Sequence, residues 1–448
     1  MGKRAVPCGG QDKACSHLLR DDGNEELLLL FPRFQFRHCR RESLRIERNL
    51  RVAQVCNQSI EKKLRPGVTL DEDLHVSKMG SVEVLTATTS RTSAPPLSDV
   101  VFDEATPEQR KRTWEDNGIV WARPLSLENY IAREAALTET PLCRDGNCHY
   151  WILYRRDDPL DIISSCETPR KKMFVRRGRS GGRVDEVEAY SVGSVHTHPR
   201  YRARGMAGYL LGKVQEFLDE RVQWSFLYSD IGRQYYAQRG WNVFKADQMT
   251  MSLVEPGFVV PQGIRLLQSG AEIKELCERD TSALRSRLAA LPEDGRTHVA
   301  VVPTYEHISW QHTNASLSAK YATGRPVTNV GAVAAGGTSW ILWFHDIRER
   351  ELKIQRIVAE GETSVEDVRD LLEAAFAEAE AWGFKTVIVW APGDTVSLGA
   401  KAVANGGRGY VKIVWSERGD TGLPSLRWRR DVHPGEVVWH DSEFYAWC

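Results

Sequence analysis

The segment from Ser194 to Leu218 constrains the fold of this chain more than any other part of its sequence. It begins as a strand, passes through a turn that contains Pro199, and continues as Arg202-x-x-Gly205-x-Ala207. Apolar residues then recur at the spacing of one helix face, at Met206, Leu210, Leu211, Val214, Phe217 and Leu218. Small residues at the start of a helix let backbone N–H groups approach an anion, and the helix N-terminus adds a partial positive charge. The segment therefore predicts a strand, loop and helix that bind a pyrophosphate.

A second strand and a tyrosine motif follow this helix. Trp224 to Tyr228 is predicted to be a strand, and Tyr236-Ala-Gln-Arg-Gly-Trp241 comes shortly after it. In this order the loop and the tyrosine motif resemble the GNAT acetyltransferase superfamily, whose acetyl-coenzyme A loop has the pattern Gln/Arg-x-x-Gly-x-Gly/Ala after the fourth strand. Two positions depart from the family, because Ser229 and Gly232 stand where many members carry Asn and Ala.

The resemblance implies an α/β GNAT acyl-CoA N-acyltransferase fold, with a mixed central sheet flanked by helices. It implies acetyl-CoA as co-substrate, no metal, and Tyr236 as the acid that protonates the departing thiolate. Backbone amides around Val195 would hold the pantetheine arm and polarise the thioester carbonyl. The residues implied at the cofactor are Val195, Thr197, Arg202, Ala203, Arg204, Gly205, Met206, Ala207 and Gly208.

A closer resemblance extends from about Val100 to the C-terminus. Five further stretches are similar to the fungal lysine N6-acetyltransferases of lysine catabolism: Glu104-Ala-Thr-Pro-Glu-Gln-Arg, Ser126-Leu-Glu-Asn-Tyr-Ile-Ala-Arg-Glu, Ile163-Ser-Ser-Cys-Glu-Thr168, Gly193-Ser-Val and Leu227-Tyr-Ser-Asp-Ile-Gly232. This resemblance implies free L-lysine as the acceptor of the acetyl group.

The residue that deprotonates the acceptor stays open. A lysine side chain with a pKa near ~10.4 is neutral about once in two thousand at pH 7, so some group has to take its proton. Many GNAT enzymes place a glutamate on the fourth strand, but the corresponding position here is Ser191. The alternatives are His196 and His198, whose pKa values suit the task, water, or Glu186 and Glu188, which lie on the opposite strand face unless a bulge intervenes.

The remaining patterns predict the organisation of the chain. Residues 1–98 are predicted to be a disordered leader and linker, residues 99–254 the catalytic domain, and residues 264–448 a degenerate GNAT-like domain that closes over the acceptor site. Met79 is a second potential start of translation, so whether residues 1–78 belong to the native protein stays open. The predicted elements are helices that start at Thr106-Pro107 and Ser126, strands at Tyr150–Tyr154, Asp161–Ser165 and Glu188–Thr197, a hairpin at Trp340–Phe344 and Glu351–Val358, a helix at Ser364–Trp382, and a strand at Thr386–Trp390.

Composition narrows the class of protein. Lys and Arg number 60 against 60 Asp and Glu, which argues against a surface built throughout for nucleic acid or anionic lipid. No apolar run approaches the ~20 residues that span a bilayer. Nine cysteines in 448 residues indicate reduced thiols, Cys143 and Cys148 among them, and we expect a cytoplasmic protein. The seven Lys and Arg of residues 170–183 predict a solvated hairpin loop, the alternative being an electrostatic guide for an anion.

Three other functions stay open at this point. The acceptor can be another amine, such as a protein lysine or a polyamine. The absence of a glutamate at Ser191 is also compatible with a regulatory protein that binds acyl-CoA without turnover. Binding of nucleic acid through residues 170–183 is not expected, and it would depend strongly on salt.

Overall fold

The computed structural model describes residues 95–447, apart from Ser269, Glu360, Glu362, Thr363 and residues 407–410. The predictions for residues 1–94, which include most of the leader and Met79, lie outside the described residues.

Two mixed sheets organise the described residues. The strands, in chain order, are β1 (Val100–Glu104), β2 (Cys148–Arg155), β3 (Asp158–Arg176), β4 (Asp185–Ser191), β5 (Gly193–Thr197), β6 (Trp224–Ser229), β7 (Asn242–Val243), β8 (Asp247–Leu253), β9 (Arg265–Leu267), β10 (Thr297–Val301), β11 (Gly331–Val333), β12 (Trp340–Asp346), β13 (Glu351–Val358), β14 (Thr386–Trp390), β15 (Val411–Glu417), β16 (Leu423–Trp428) and β17 (Val437–Trp439). The helices are α1 (Pro107–Trp121), α2 (Leu127–Thr138), α3 (Met206–Arg221), α4 (Gln234–Ala237), α5 (Ala271–Ala289), α6 (Tyr305–Thr323), α7 (Ser364–Ala381) and α8 (Asp394–Asn405).

The first sheet has the strand order β1-β2-β3-β4-β6-β16-β7, with β5 and β10 also paired to β3 and with β17 paired to β10. The second has the order β15-β8-β14-β13-β12-β11-β9. Each sheet takes strands from both parts of the chain, because β8 precedes residue 254 yet lies in the second sheet, while β10, β16 and β17 return to the first. The architecture is the predicted α/β one, with mixed sheets flanked by helices.

Several local predictions are confirmed. The hydroxyl of Thr106 accepts the Gln109 N–H at 3.3 Å and the Gln109 amide oxygen accepts the Thr106 N–H at 3.1 Å, a reciprocal cap that starts α1 with Pro107 in its first turn. Ser126 caps α2 with a single bond, its hydroxyl accepting the Asn129 N–H at 3.2 Å. The predicted hairpin is formed by β12 and β13, and the helix and strand that follow it are α7 and β14.

Two predictions about strands are wrong. The strand predicted at Asp161–Ser165 continues to Arg176, so residues 170–176 are not loop. β4 and β10 flank this part of β3 on its two sides and pair its backbone, which buries Lys171 and Arg176 despite their charge. Likewise the strand predicted at Glu188–Thr197 is two strands, because the chain leaves regular pairing at Val192 and Ser194 has φ +51°.

The core of the first sheet positions the candidate site. α3 packs its predicted apolar face on this sheet, where Leu210, Leu211, Val214 and Leu218 are fully buried. No helix among the described residues is long and apolar enough to cross a membrane. The same residues contain no group of three or more His, Cys, Asp or Glu side chains arranged to hold a metal ion.

Candidate active site

An opening between two parallel strands forms the centre of the candidate site. β4 and β6 pair in parallel from Ala189 opposite Trp224 to Ser191 opposite Phe226. The Val192 N–H donates to the Phe226 carbonyl at 2.9 Å, and beyond it β5 pairs with β3 while β6 pairs with β16. The backbone edges of β5 and β6 that face each other therefore take no ladder bonds from one another, and an extended ligand with amide groups can use such edges.

A bulge accompanies this separation. Glu167 pairs with Gly193 and Ser165 pairs with His196, so Cys166 alone faces Ser194 and Val195. Ser194 is exposed and has a left-handed backbone conformation. The bulge turns the chain away from β6, since an extra residue on one strand bends it and increases its twist.

The predicted anion loop joins β5 to α3. Two residues adopt positive φ there, Ala203 at +57° and Gly205 at +79°, and Gly205 is the N-cap of the 16-residue α3. Arg202 folds back toward β5, where its Nε donates to the Thr197 carbonyl at 2.9 Å and its Nη2 lies 3.4 Å from His196 Nε2. Residues 202, 203 and 205 are exposed, so the backbone amides at the start of α3 are accessible to an anion.

Gly208 has a packing role that the motif alone does not reveal. A Cβ at this position would lie 2.8 Å from Arg239 Nη2. Arg239 stacks on the Tyr235 ring with its guanidinium carbon 3.9 Å from the ring centroid, and its Nη1 donates to the Tyr235 carbonyl at 2.7 Å. The small residue at 208 thus lets an arginine that the sequence analysis missed lie over the first turn of α3.

Tyr236 lies on α4 and is only 8% exposed. Its ring contacts those of Tyr235 and Trp241, with centroids 5.2 Å and 6.3 Å away. Burial raises the pKa of Tyr236 above its usual value, so the phenol keeps its proton at pH 7. The departure at Ser229 serves the preceding turn, where its hydroxyl donates to the Gly232 carbonyl at 2.8 Å.

Two of the candidate bases are bound to cations. Glu186 accepts from Lys172 at 2.9 Å and from Arg285 at 2.7 Å, and the bond to Lys172 is the main cause of its lowered pKa. Glu188 is exposed and pairs with Arg170 at 3.3 Å. The two cations stabilise the Glu186 carboxylate, which weakens it as a base.

The two histidines lie nearer the opening. Burial lowers the pKa of His196 to about 4, with the Arg202 guanidinium adding to the effect. Burial also lowers the pKa of His198. Both imidazoles are therefore neutral at pH 7, and His196 in particular holds a proton weakly.

Glu167 is the site residue that the sequence analysis missed. It pairs with Gly193 on β5 and with Tyr150 on β2, and its side chain is recessed but partly exposed. Burial raises the pKa of Glu167 to about 8, the nearby Glu134 carboxylate raises it further, and a hydrogen bond from Ser194 acts in the opposite sense. Its only signal in the sequence is the stretch Ile163–Thr168, which says nothing of its position opposite the bulge.

Known proteins match most of the described chain. Residues 253–448 match the family described as the LYC1 GNAT-like C-terminal domain. A protein of Yarrowia lipolytica named lysine acetyltransferase is 24% identical over 315 residues, which cover 60% of this chain and 77% of that protein. An uncharacterized protein of Saccharomyces cerevisiae is 21% identical over 347 residues, which cover 65% of this chain and 84% of its own length.

The fold also superposes in part on solved structures. The crystal structure of a GCN5-related N-acetyltransferase from Kribbella flavida superposes with a TM-score of 0.43 at 14% sequence identity. The superposition covers 74% of this chain and 72% of the Kribbella chain.

Proposed function

We propose that this chain, whose residues 253–448 match the LYC1 GNAT-like C-terminal domain, is a GNAT acetyltransferase that transfers the acetyl group of acetyl-CoA to the N6 amine of free L-lysine. One observation carries the proposal: the opening between β5 and β6 leads directly into the loop at the N-terminus of α3. An extended amide chain that ends in a pyrophosphate needs both features side by side.

The residues present fit acyl-CoA. Backbone groups of Val195 and Thr197 on the free edge of β5 would hold the pantetheine arm. Amides of Gly205, Met206, Ala207 and Gly208, with Arg202, Ala203 and Arg204 of the same loop, would hold the pyrophosphate, and Arg239 adds a cation over the first turn. The bound co-substrate supplies the acyl group as a thioester. The protein positions it and supplies the proton for the departing sulfur, for which the buried, protonated Tyr236 is suited.

Arg418 supports an acceptor that carries a carboxylate. It is 8% exposed and lies over the Trp390 ring at 3.8 Å, and Nε and Nη1 donate to the carbonyls of Gly422 and Asp247 at 3.1 Å and 3.2 Å. Its buried Nη2 has no hydrogen-bond partner within the part of the chain that the structure describes. A buried guanidinium with an unused donor is a natural partner for an anion.

The position of Arg418 agrees with this role. The turn that carries it is bound to the loop before Tyr236, since the Gly232 N–H donates to the Asp420 carbonyl at 2.9 Å. In addition, Arg233 pairs with Glu417 at 2.6 Å. A free amino acid, unlike a polyamine, has a carboxylate to place there. The Yarrowia relative named lysine acetyltransferase supports the same choice.

Thiol release from acetyl-CoA tests the proposal. The purified chain is mixed with acetyl-CoA and with L-lysine, cadaverine, spermidine or a lysine-containing peptide, cadaverine being lysine without its carboxylate. We expect turnover with L-lysine, little with cadaverine, and a loss of about 100-fold in Tyr236→Phe but not in the control Tyr154→Phe.

Each alternative has its own outcome. Arg418→Met is expected to lower kcat/KM for L-lysine while leaving that for cadaverine unchanged. Better turnover with the peptide or with spermidine would replace lysine by that acceptor. Binding of acetyl-CoA without turnover of any amine would favour a regulatory protein.

A further inference from the structure

We propose that the carboxylate of Glu167 accepts the proton of the acceptor amine, an inference that rests on the proposed acetyl transfer. The residue stands on β3 rather than on the strand where the family resemblance places a glutamate, and its partner position is Gly193. Since directly opposed residues of antiparallel strands have Cα atoms about 5 Å apart, Glu167 lies beside the point where β4 and β6 separate.

The Glu167 side chain lies on the face of the sheet opposite Tyr236 and the anion loop, where the acceptor amine would approach. Cys166 packs in the same apolar cluster as Tyr236 and α3. Successive residues of a strand point to opposite faces, so Glu167 faces away from that cluster and toward Arg133 and Glu134 of α2. The opening thus has a phenol on the side of the anion loop and a carboxylate on the other side.

The surroundings of Glu167 differ from those of Glu186 and Glu188. Arg133 of α2 is already engaged in an ion pair with Glu134, and its Nη1 donates to the Ser318 hydroxyl of α6 at 3.2 Å. No cation is therefore committed to Glu167 alone, whereas Ser194 donates a hydrogen bond to it. The titratable and charged groups that face it from the packed elements are Tyr130, Arg133 and Glu134 on α2, Cys143 in the turn before β2, and Cys148 and Tyr150 on β2.

The chemistry suits such a group. The amine with a pKa near ~10.4 is about 250-fold less acidic than a carboxyl group with a pKa of about 8, against roughly a million-fold for an ordinary glutamate, so proton transfer to Glu167 is far less unfavourable. Above that pH most molecules carry the ionised form that the step requires.

The proton balance is closed. The acceptor ammonium loses two N–H protons when it becomes an amide. Glu167 takes the first and returns it to solvent, which frees the nitrogen lone pair to form the C–N bond as the C–S bond breaks. The nitrogen gives the second to solvent, and solvent returns one proton to Tyr236 after the phenol has protonated the sulfur, so one thiol, one amide and one released proton result.

The test is the pH dependence of kcat/KM for L-lysine in the wild-type protein and four variants. The wild-type rate should rise with pH through an apparent pKa near 8. Glu167→Gln should lose at least about 100-fold and that titration. Ser194→Ala, which removes a hydrogen bond to the ionised form, should move the apparent pKa up, and Glu134→Gln, which removes a neighbouring negative charge, should move it down. Glu188→Gln, an exposed carboxylate bound to Arg170, is the control and should change neither rate nor pKa.

Thermal unfolding and acetyl-CoA binding check that each variant is folded. If the wild-type protein is active and kcat/KM of Glu167→Gln lies within threefold of the wild-type value, the role of Glu167 is overturned and the proposed function stays intact. An apparent pKa that is unchanged in Ser194→Ala and in Glu134→Gln would also overturn the role of Glu167. An inactive wild-type protein would overturn the proposed function, and the role of Glu167 with it.

Discussion

Each sheet of this chain contains a unit of strand, helix and parallel strand, and the two units differ in what lies at the end of the parallel pair. In the first, β4 and β6 pair over three positions and then separate around α3. In the second, β13 and β14 pair over four positions, from Glu351 opposite Thr386 to Ile354 opposite Val389, and α7 connects them. In the first unit β4 ends at the last pair, at Ser191, and β5 follows it, whereas in the second unit β13 continues beyond the last pair to Val358.

The C-terminal tail covers the end of the second pair. The Ile357 N–H, beyond the last β13–β14 position, donates to the Glu443 carboxylate at 3.3 Å. Phe444 packs against Trp390 at the end of β14 with ring centroids 5.0 Å apart, and the buried Tyr445 donates to the Val301 carbonyl at 2.6 Å. Side chains of the protein itself therefore occupy this opening, whereas we propose that the opening of the first unit takes a ligand.

The difference between the two units indicates what makes a pair of separating parallel strands suitable as a ligand site. Backbone separation by itself leaves polar edges that something must satisfy. The second unit satisfies them with its own chain, and it gains stability. The first has positive φ at Ala203 and Gly205 and arginines around the helix N-terminus, and these features suit an anion.

The largest effect is expected from removing the cation that holds the tail. Arg356 is 2% exposed and binds Asp280 with two bonds of 2.8 Å, Asp441 at 3.0 Å and Glu443 at 2.5 Å. Arg356→Met should lower the free energy of unfolding by about 3–5 kcal/mol, because it leaves buried carboxylates without their partner. Urea denaturation measures this. Arg265→Met, which breaks an exposed pair with Glu272, is the control and should cost less than ~1 kcal/mol. Equal effects in the two variants would contradict the importance of the tail.

Acid should lower the stability of the protein through two buried histidines, one beside each unit. Burial lowers the pKa of His196, beside the opening of the first unit, and of His312, on α6 against Gln355 of β13, to about 4 in each case. Because these folded-state values lie below the unfolded value of about 6.5, their contribution to stability is complete above pH 6.5 and is lost as the pH falls toward 4, by about 2–3 kcal/mol each.

NMR titration and unfolding at several pH values test this. Replacing either histidine by Gln should flatten the loss of stability below pH 6.5. Saturating coenzyme A should shift the His196 resonances and leave those of His312 unchanged. An imidazole that titrates above pH 6 in the free protein would contradict the prediction for that residue.

Two glycines of the first unit allow the effect of backbone conformation to be tested apart from the effect of steric contact. A Cβ at Gly205 or at Gly212 would meet no atom within 4 Å, but only Gly205 has a positive φ, +79°. Gly205→Ala should cost about 1–2 kcal/mol of stability and weaken acetyl-CoA binding about tenfold. Gly212→Ala, inside α3, should stabilise the protein by up to about 1 kcal/mol and leave binding unchanged. Calorimetry measures the stability of each variant and its affinity for acetyl-CoA. Similar affinities in the two variants would count against the anion loop.

The smallest effect concerns Arg239. Arg239→Met should weaken coenzyme A binding by about three- to tenfold and reduce the dependence of that binding on salt, since the proposed phosphate contact would be lost. Arg221 is a matched control, because it also stacks on an aromatic ring, Phe217, at 3.9 Å, but at the other end of α3. An unchanged salt dependence in Arg239→Met would remove this arginine from the site.

Local patterns account for the predictions that the structure confirmed. The cap at Thr106, the apolar face of α3 and the strand after α7 each depend on residues within a few positions of one another. The extent of β3 does not, because β4 and β10 pair its charged second half from opposite sides. Arg239 beside Gly208 and Glu167 opposite Gly193 were missed for the same reason.

The sequence by itself therefore determined the α/β class and helices α1, α2, α3 and α7, and it led to the proposed anion loop and tyrosine motif, because periodicity, caps and turn residues act locally. Tertiary structure decided which strands belong to each sheet, which opening the protein's own side chains leave uncovered, and which glutamate is buried beside the bulge. These properties follow from strand register and burial among residues far apart in the chain. One position in register changes the face of a side chain, and burial decides whether a glutamate is an ordinary acid or a base near neutral pH.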